Sequence, residues 1–391
     1  MALEAIAVLT QLSVLLILGL IGSAIAYHLR VSNVFILLIL GTLIGWTTDF
    51  FAFESVFLVG LAVTTLAMVV FEGTTKFSLR QLDIYSGPAL RLTGWYLLLV
   101  CLLVGVLSYI LFFADMPGGW VLSFVLATAL AGTDASSILL ILKSSTGKIV
   151  RMLTIESVIN TPIMVLLPFI VLGLLEKSLS LVHFTDILTQ IIVGVGAGVV
   201  TGLVLFKALR RYYAKDLSSV AVVAGALISY LAAENLGGSG VLAVATLGII
   251  FGNVTIKNKE ELNTFSFAFS SVLEVLVFLL IGILVGGSMQ LSGALILQSF
   301  LIFLAIILAR IAATCIVFWN DHNWPERIFI SLSMPRGIAV AVLIFIFSSP
   351  LYTNSIPQVL VDVLFLVTMY SILVATIAAW WWNTFEPAKE T

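Results

Sequence analysis

The feature that most constrains this chain is the recurrence of apolar stretches about as long as a bilayer is thick. A hydrocarbon core of about 30 Å takes roughly 20 apolar residues in a helix. On that ruler the sequence holds thirteen segments, at approximately 4–27, 32–49, 54–73, 88–113, 119–142, 151–175, 185–207, 218–235, 238–253, 264–286, 292–319, 326–348 and 357–382. Inside hydrocarbon each backbone polar group must be satisfied within its own segment, so these runs read as helices. Composition agrees: 61% of residues are hydrophobic, only 10% are charged, and mean hydropathy is +1.21. A soluble domain carries about 25% charged residues. The expectation is an all-α membrane protein with one transmembrane domain over residues 1–391. The first segment is too long for a signal-peptide core and is followed by further spans, which reads as a retained helix.

Loop charges test the count independently. Odd-numbered loops hold Arg30; Lys76, Arg80 and Arg91; Lys143, Lys148 and Arg151; Lys207, Arg210, Arg211 and Lys215; Lys257 and Lys259; and Arg327. Even-numbered loops hold Lys177 alone. The positive-inside rule produces such a bias when the spans are counted correctly. It places the odd loops and the C-terminus in the cytoplasm and the N-terminus outside, in a multi-pass protein of the cell membrane. The net charge of -2 and the lack of a basic block exclude a nucleic-acid partner. Cys101 and Cys315 lie in apolar runs and read as small packing residues. His28, His183 and His322 lack metal-ligand spacing. With no Walker A loop, zinc motif or nucleophile elbow, neither an enzyme nor a bound cofactor is expected.

Ionisable groups deep in a span cost about 2.5–3.5 kcal/mol each on insertion scales, so they tend to be paired and functional. Glu72, Asp134, Glu156, Glu274, Arg310 and Arg336 are of this kind. A structural ion pair is the plain reading of any one of them. Two coincide with helix-weakening sequence: Asp134 in "AGTDASS" of segment five, and Arg336 in "MPRG" of segment twelve. Proline removes a donor and clashes with the preceding turn, and glycine loosens the helix. Broken spans at matching places in two halves point to a midplane site in an inverted-repeat transporter. Thirteen spans divide into a first repeat (about 1–176), a linker helix (about 185–207) and a second repeat (about 218–382). Segments five and twelve are then each the fifth of their half.

The stretch "TIESVINTP", residues 154–162, adds a face of oxygens. Helical residues three and four apart share a face, so Ser157, Asn160 and Thr161 point one way and Glu156 borders them. Such a face suits a partly dehydrated monovalent cation, since divalent ions want more carboxylate charge. Polar glue between helices is the bland alternative.

At these residues the chain resembles the cation/proton antiporter superfamily, in its branch of NhaP-type sodium/proton antiporters and sodium/hydrogen exchangers. "FEGTTKF" is similar to the family's FEGG-type stretch, "GTDASS" to the T-D-P motif of its broken fifth helix, and "ESVINTP" to the E-S-x-x-N-D-P motif of its sixth. "ENLGGSGVLAVATLGIIFGN", "VFLLIGILV" and "PRGIAVAV" resemble three later family stretches in the right order. The resemblance implies an NhaA-like fold with crossing broken helices, a core bundle rocking against a dimerisation bundle, and a homodimer. It implies that Asp134, Thr133, Ser157 and Thr161 hold the cation and that Asn160 supports the crossing. Glu156 is expected to pair with Arg336, with Glu72 as an accessory group. The partners implied are a monovalent cation, sodium first, protons and the lipid bilayer.

Two departures from the family pattern stand out. Ala135 replaces the proline after the aspartate, and Thr161 replaces the family's transport carboxylate. A hydroxyl can ligate a cation but, having no accessible charged form, cannot surrender a proton for it. The first reading is a cation/proton exchanger in which Asp134 carries both ligands. The alternative is a diverged or substituted member with impaired proton coupling: a cation binder, a leak, or a carrier of another solute. A sensor or assembly subunit that keeps the fold as scaffold is a third reading.

Overall fold

The computed structural model describes residues 2–29, 31–48, 50–51, 53–76, 79–134, 148–173, 181–211, 215–350, 352 and 355–385. Every regular element among them is helical. In chain order these are α1 (Ala2–Leu29), α2 (Asn33–Thr47), α3 (Ser55–Thr75), α4 (Leu79–Ser108, continued by a π-helical turn Tyr109–Phe113) and α5 (Gly119–Leu130). They continue with α6 (Lys148–Leu172), α7 (Leu181–Arg211), α8 (Lys215–Asn235), α9 (Gly240–Asn253) and α10 (Lys259–Ser288). The last four are α11 (Gly293–Phe318), α12 (Trp324–Leu332), α13 (Ile338–Phe347) and α14 (Gln358–Phe385).

Among the described residues nine helices are long and apolar enough to cross a membrane, and α2, α5, α9 and α13 are shorter apolar helices. Each of these falls on one of the thirteen expected segments. Segment twelve is divided: α12 stops at Leu332, residues 333–337 are non-helical, and α13 starts at Ile338. Segment five leaves the helix after Leu130. Residues 131–134 follow without helix, and the rest of the segment, from Ala135 on, lies outside the described residues, as do Arg30, Lys143 and Lys177 of the loop count.

The helices pack in two groups. In one, α4, α5 and α6 pack on one another, α11 packs on α4, and α12 and α14 pack on α11. In the other, α10 lies against α2 and α3, while α9 lies against α3, α7 and α8. Helix α13 joins them, touching α3 and α10 on one side and α5, α6 and α14 on the other. Large apolar side chains outside this packing, such as Leu20 on α1, Leu102 on α4, Val200 on α7 and Leu308 on α11, are exposed on the outer surface. That is where a lipid-facing protein presents them.

Lipid offers helices no hydrophobic reward for associating, so close backbone approach through small residues supplies the packing. The α2–α10 contact shows it. Gly41 on α2 faces Gly282 on α10 and Gly45 faces Gly287, and a methyl added at Gly41 or Gly282 would sit 2.8 Å from the other's Cα. Backbone atoms cannot give way there, so Gly282→Leu is expected to lower the melting temperature in detergent, through overpacking of about 1–3 kcal/mol. Substituting Leu at Gly60, which has open space around its Cα, should leave the melting temperature within a degree or two of the parent's, about 0.5 kcal/mol or less.

Candidate functional site at the crossing of two broken helices

A helix that stops inside a membrane leaves its last four carbonyls without partners. Two such ends meet here, those of α5 and α12, and the chain satisfies them with one arginine. Arg336 is fully buried; its guanidinium donates to the Leu130 carbonyl at the end of α5 (2.8 Å) and to the Met334 carbonyl just past α12 (3.1 Å). A cation is favoured at the negative end of a helix dipole, and this one serves two ends at once. The breaks are also tied directly: the Asp134 backbone N–H donates to the Pro335 carbonyl at 2.7 Å. Asn160, on α6, donates to the Ala131 carbonyl at 3.3 Å and lies 3.5 Å from the Thr133 hydroxyl.

The expected pairing of Glu156 with Arg336 is not what the structure shows. Glu156 is held bidentately by Arg310 of α11, with both N···O distances 2.6 Å and both side chains buried. Geometry explains the exchange of partners. Arg336 is committed to backbone carbonyls, whereas Arg310 has no break in its own helix to serve. Tyr96 of α4 stands between the two cations: the Arg310 guanidinium lies 4.9 Å from its ring centroid, and Arg336 donates to its hydroxyl at 3.0 Å. Nothing in the sequence marks Tyr96, an aromatic residue within an apolar span. Arg310 does carry a signal, as a second buried arginine able to take the acid.

Beside the crossing lies a cavity of about 80 Å³. Thr133, Asp134, Ser157 and Thr161 line it, as do Glu72 of α3, Lys76 just past the end of that helix, and Gly337. The four residues expected to hold the cation therefore share one space. The Thr161 hydroxyl donates to the Ser157 carbonyl one turn back, at 2.7 Å, so its proton is spent on its own helix and its lone pairs remain for a ligand. Glu72 is ion-paired with Lys76 at one edge of the cavity. The Asp134 carboxylate lies against the bare Cα of Gly337, where any side chain would overlap it. Among the described residues no group of three or more His, Cys, Asp or Glu side chains comes together. With Glu72 paired to Lys76, the site offers the Asp134 carboxylate beside neutral oxygens, which suits a singly charged ion better than a divalent one.

The family model for the transmembrane part of sodium/hydrogen exchangers matches residues 12–382. The chain belongs to that family. It is a family of secondary transporters, not of enzymes. A K(+)/H(+) antiporter NhaP2 from Shewanella baltica is 27% identical over 292 residues, 72% of this chain and 50% of that protein. The Na(+)/H(+) antiporter NhaG of Bacillus atrophaeus is 27% identical over 376 residues, 85% of this chain and 69% of that protein. The chain spans about half the length of the NhaP2 relatives it matches. The sodium proton antiporter MjNhaP1 from Methanocaldococcus jannaschii superposes with a TM-score of 0.80 at 19% identity, covering 97% of this chain and 98% of that one. That superposition establishes the antiporter fold.

Two measurements check this geometry. In a double-mutant cycle read by thermal unfolding, Glu156→Gln is expected to couple strongly to Arg310→Met and weakly to Arg336→Met. Breaking the first pair alone should cost about 3–5 kcal/mol, because a buried charge is left uncompensated. Gly337→Ala should displace the Asp134 carboxylate and weaken cation-dependent thermal stabilisation, a mass-action effect that falls as the dissociation constant rises. Undiminished stabilisation by sodium and potassium salts in that variant would contradict the placement of Asp134 against Gly337.

Proposed function

We propose that this chain is a secondary transporter that exchanges a monovalent cation for protons across the membrane, with Asp134 as the charged cation ligand. The observation that carries the reading is the shared cavity, which Asp134 lines together with Thr133, Ser157 and Thr161, while Glu72 at its edge is paired with Lys76. Membership of the exchanger family and the names of the relatives, potassium/proton and sodium/proton antiporters alike, support it. Sodium is the cation we favour, and potassium is the one the NhaP2 relatives raise. In this reading Asn160 holds the crossing together, Arg336 caps it, and the Glu156–Arg310 pair fixes α6 against α11.

The loop charges put Lys76 and Glu72 on the cytoplasmic side, so the cavity edge they form is its inward approach. The N-terminus then faces outward and the C-terminus inward, and no cofactor is needed. Two packed groups of helices joined by α13 suit a cycle in which one bundle moves against the other, with the group containing α1 and α7 available for a homodimer. The matching breaks of α5 and of α12 with α13 support inverted repeats with boundaries near 176 and 218.

A second reading, impaired proton coupling, is favoured by one observation. Thr161 stands where the family carries its transport acid, and its hydroxyl proton is already bonded to Ser157. Proteoliposomes with an imposed pH gradient separate the two. Exchange predicts proton movement on adding sodium or potassium, lost by more than tenfold in Asp134→Asn; a tenfold loss corresponds to about 1.4 kcal/mol. A silent parent that gains movement in Thr161→Asp would establish the second reading instead.

A further inference from the structure

Glu274 takes no part in the reading above, yet it is an acid placed mid-span in α10, a helix packed inside the bundle against α2, α3 and α13. Among the described residues it makes no hydrogen bond and no ion pair. Its electrostatic neighbours are Asp134 at the crossing and Glu72 and Lys76 at the cavity edge. Helices α2 and α13, which flank it, hold no ionisable side chain; α14, also packed on α10, carries Asp362, which accepts from Gln358, and α8 carries Tyr230 and Glu234, the latter accepting from the Gly240 N–H. On α1, His28 lies at the helix end, about two and a half turns beyond Gly19, where α1 meets α10 at Val275.

One and two turns before Glu274 come Ser270 and Ser266, a spacing that keeps all three near one face of the helix. Both serines are buried, 3% and 2% exposed, and neither hydroxyl has a partner among the described residues. The Oδ1 of Asn263, further along the same face, is likewise buried and unpartnered. Phe267, beside them, meets the Lys76 ammonium 5.8 Å from its ring centroid, so this stripe approaches the part of α3 that lines the cavity. A buried hydroxyl left unsatisfied costs about 1–3 kcal/mol. A stripe of such groups ending on a carboxylate makes sense where water or a travelling proton visits them.

Charge counting gives the stripe a task. The crossing holds two buried cations, Arg310 and Arg336, and two acids, Glu156 and Asp134; the Glu72–Lys76 pair is balanced within itself. With Glu274 protonated this set of described charges around the crossing is neutral without any bound ion; Asp362 of α14, a further buried acid that accepts from Gln358, lies outside the set. With Glu274 ionised the set carries one surplus negative charge, which one monovalent cation cancels.

We infer that Glu274 is the proton-carrying partner of the cation site, supplying the exchangeable acid that position 161 lacks, with Ser270 and Ser266 as the hydroxyl stripe along which its proton leaves and returns. This rests on the exchange reading, with Asp134 as the cation's ligand. When the cation enters beside Asp134, the Glu274 O–H bond breaks and the proton passes to water along the stripe. When the cation leaves, Glu274 takes a proton back. The two ligands then compete through charge, although they occupy different carboxylates.

Proton release on adding sodium or potassium chloride to the purified protein in weakly buffered detergent tests this. The parent should release roughly one proton per cation bound, and its apparent affinity should rise up to about tenfold per pH unit while Glu274 is protonated. Glu274→Gln should still bind the cation, release almost no protons, and lose that pH slope. Glu274→Asp should restore release with a displaced pH midpoint, and Ser270→Ala should slow release without changing its extent. A Glu274→Gln protein that melts like the parent and releases protons like the parent overturns the inference while leaving Asp134 in its role. If Glu274→Gln does not fold, an unmoved midpoint in Glu274→Asp overturns it equally. A parent that binds neither salt, or that binds as well with Asp134→Asn, overturns the exchange reading itself.

Discussion

Two helices end in the middle of this bundle, and everything around the site follows from having to satisfy those ends. Open carbonyls facing lipid would be prohibitively costly, so the breaks are confined to a place where protein groups reach them. Arg336 bonds to Leu130 and Met334, the Asp134 amide bonds to Pro335, and Asn160 bonds to Ala131. Once an arginine is buried for that purpose, anionic charge must accompany it, and the same architecture that repairs the backbone sets the electrostatics of the cavity.

The four central charges divide their labour by geometry. Arg310 and Glu156 satisfy one another through two short parallel contacts, so their charges are locked together. Arg336 is dispersed over carbonyl dipoles and a phenol, and Asp134 faces the cavity with its carboxylate against a glycine. A locked pair suits scaffolding. An acid that lines a cavity presents the field that a small mobile ion can feel.

Much of this was legible in the sequence, because membranes impose strong rules. Segment length and loop charge yielded the spans, and Pro335 with Gly337 marked one break. Helical spacing put residues 157 and 161 on one face, and it was the resemblance to the antiporter family that joined them with residues 133 and 134. What the sequence did not disclose was partnership. Glu156 had two buried arginines to choose from, and only the positions of the freed carbonyls decide between them. Tyr96 is silent in sequence because a tyrosine in an apolar span looks like packing until both arginines are seen beside it. Glu274 was visible as a buried acid, but its stripe of unpartnered serines becomes meaningful only once their burial is known.

The placement of the balanced charges also bears on how the protein is made. Both acids, Asp134 and Glu156, precede α8, and both arginines, Arg310 and Arg336, follow it. During synthesis the first half therefore reaches the bilayer carrying two uncompensated negative charges, and the second arrives with two positive ones. Neither half is a comfortable lodger in lipid by itself. The electrostatic bill is settled only when the late helices dock onto the early ones, so the polypeptide must hold its first seven spans in a loosely hydrated, unfinished arrangement until its C-terminal portion leaves the ribosome.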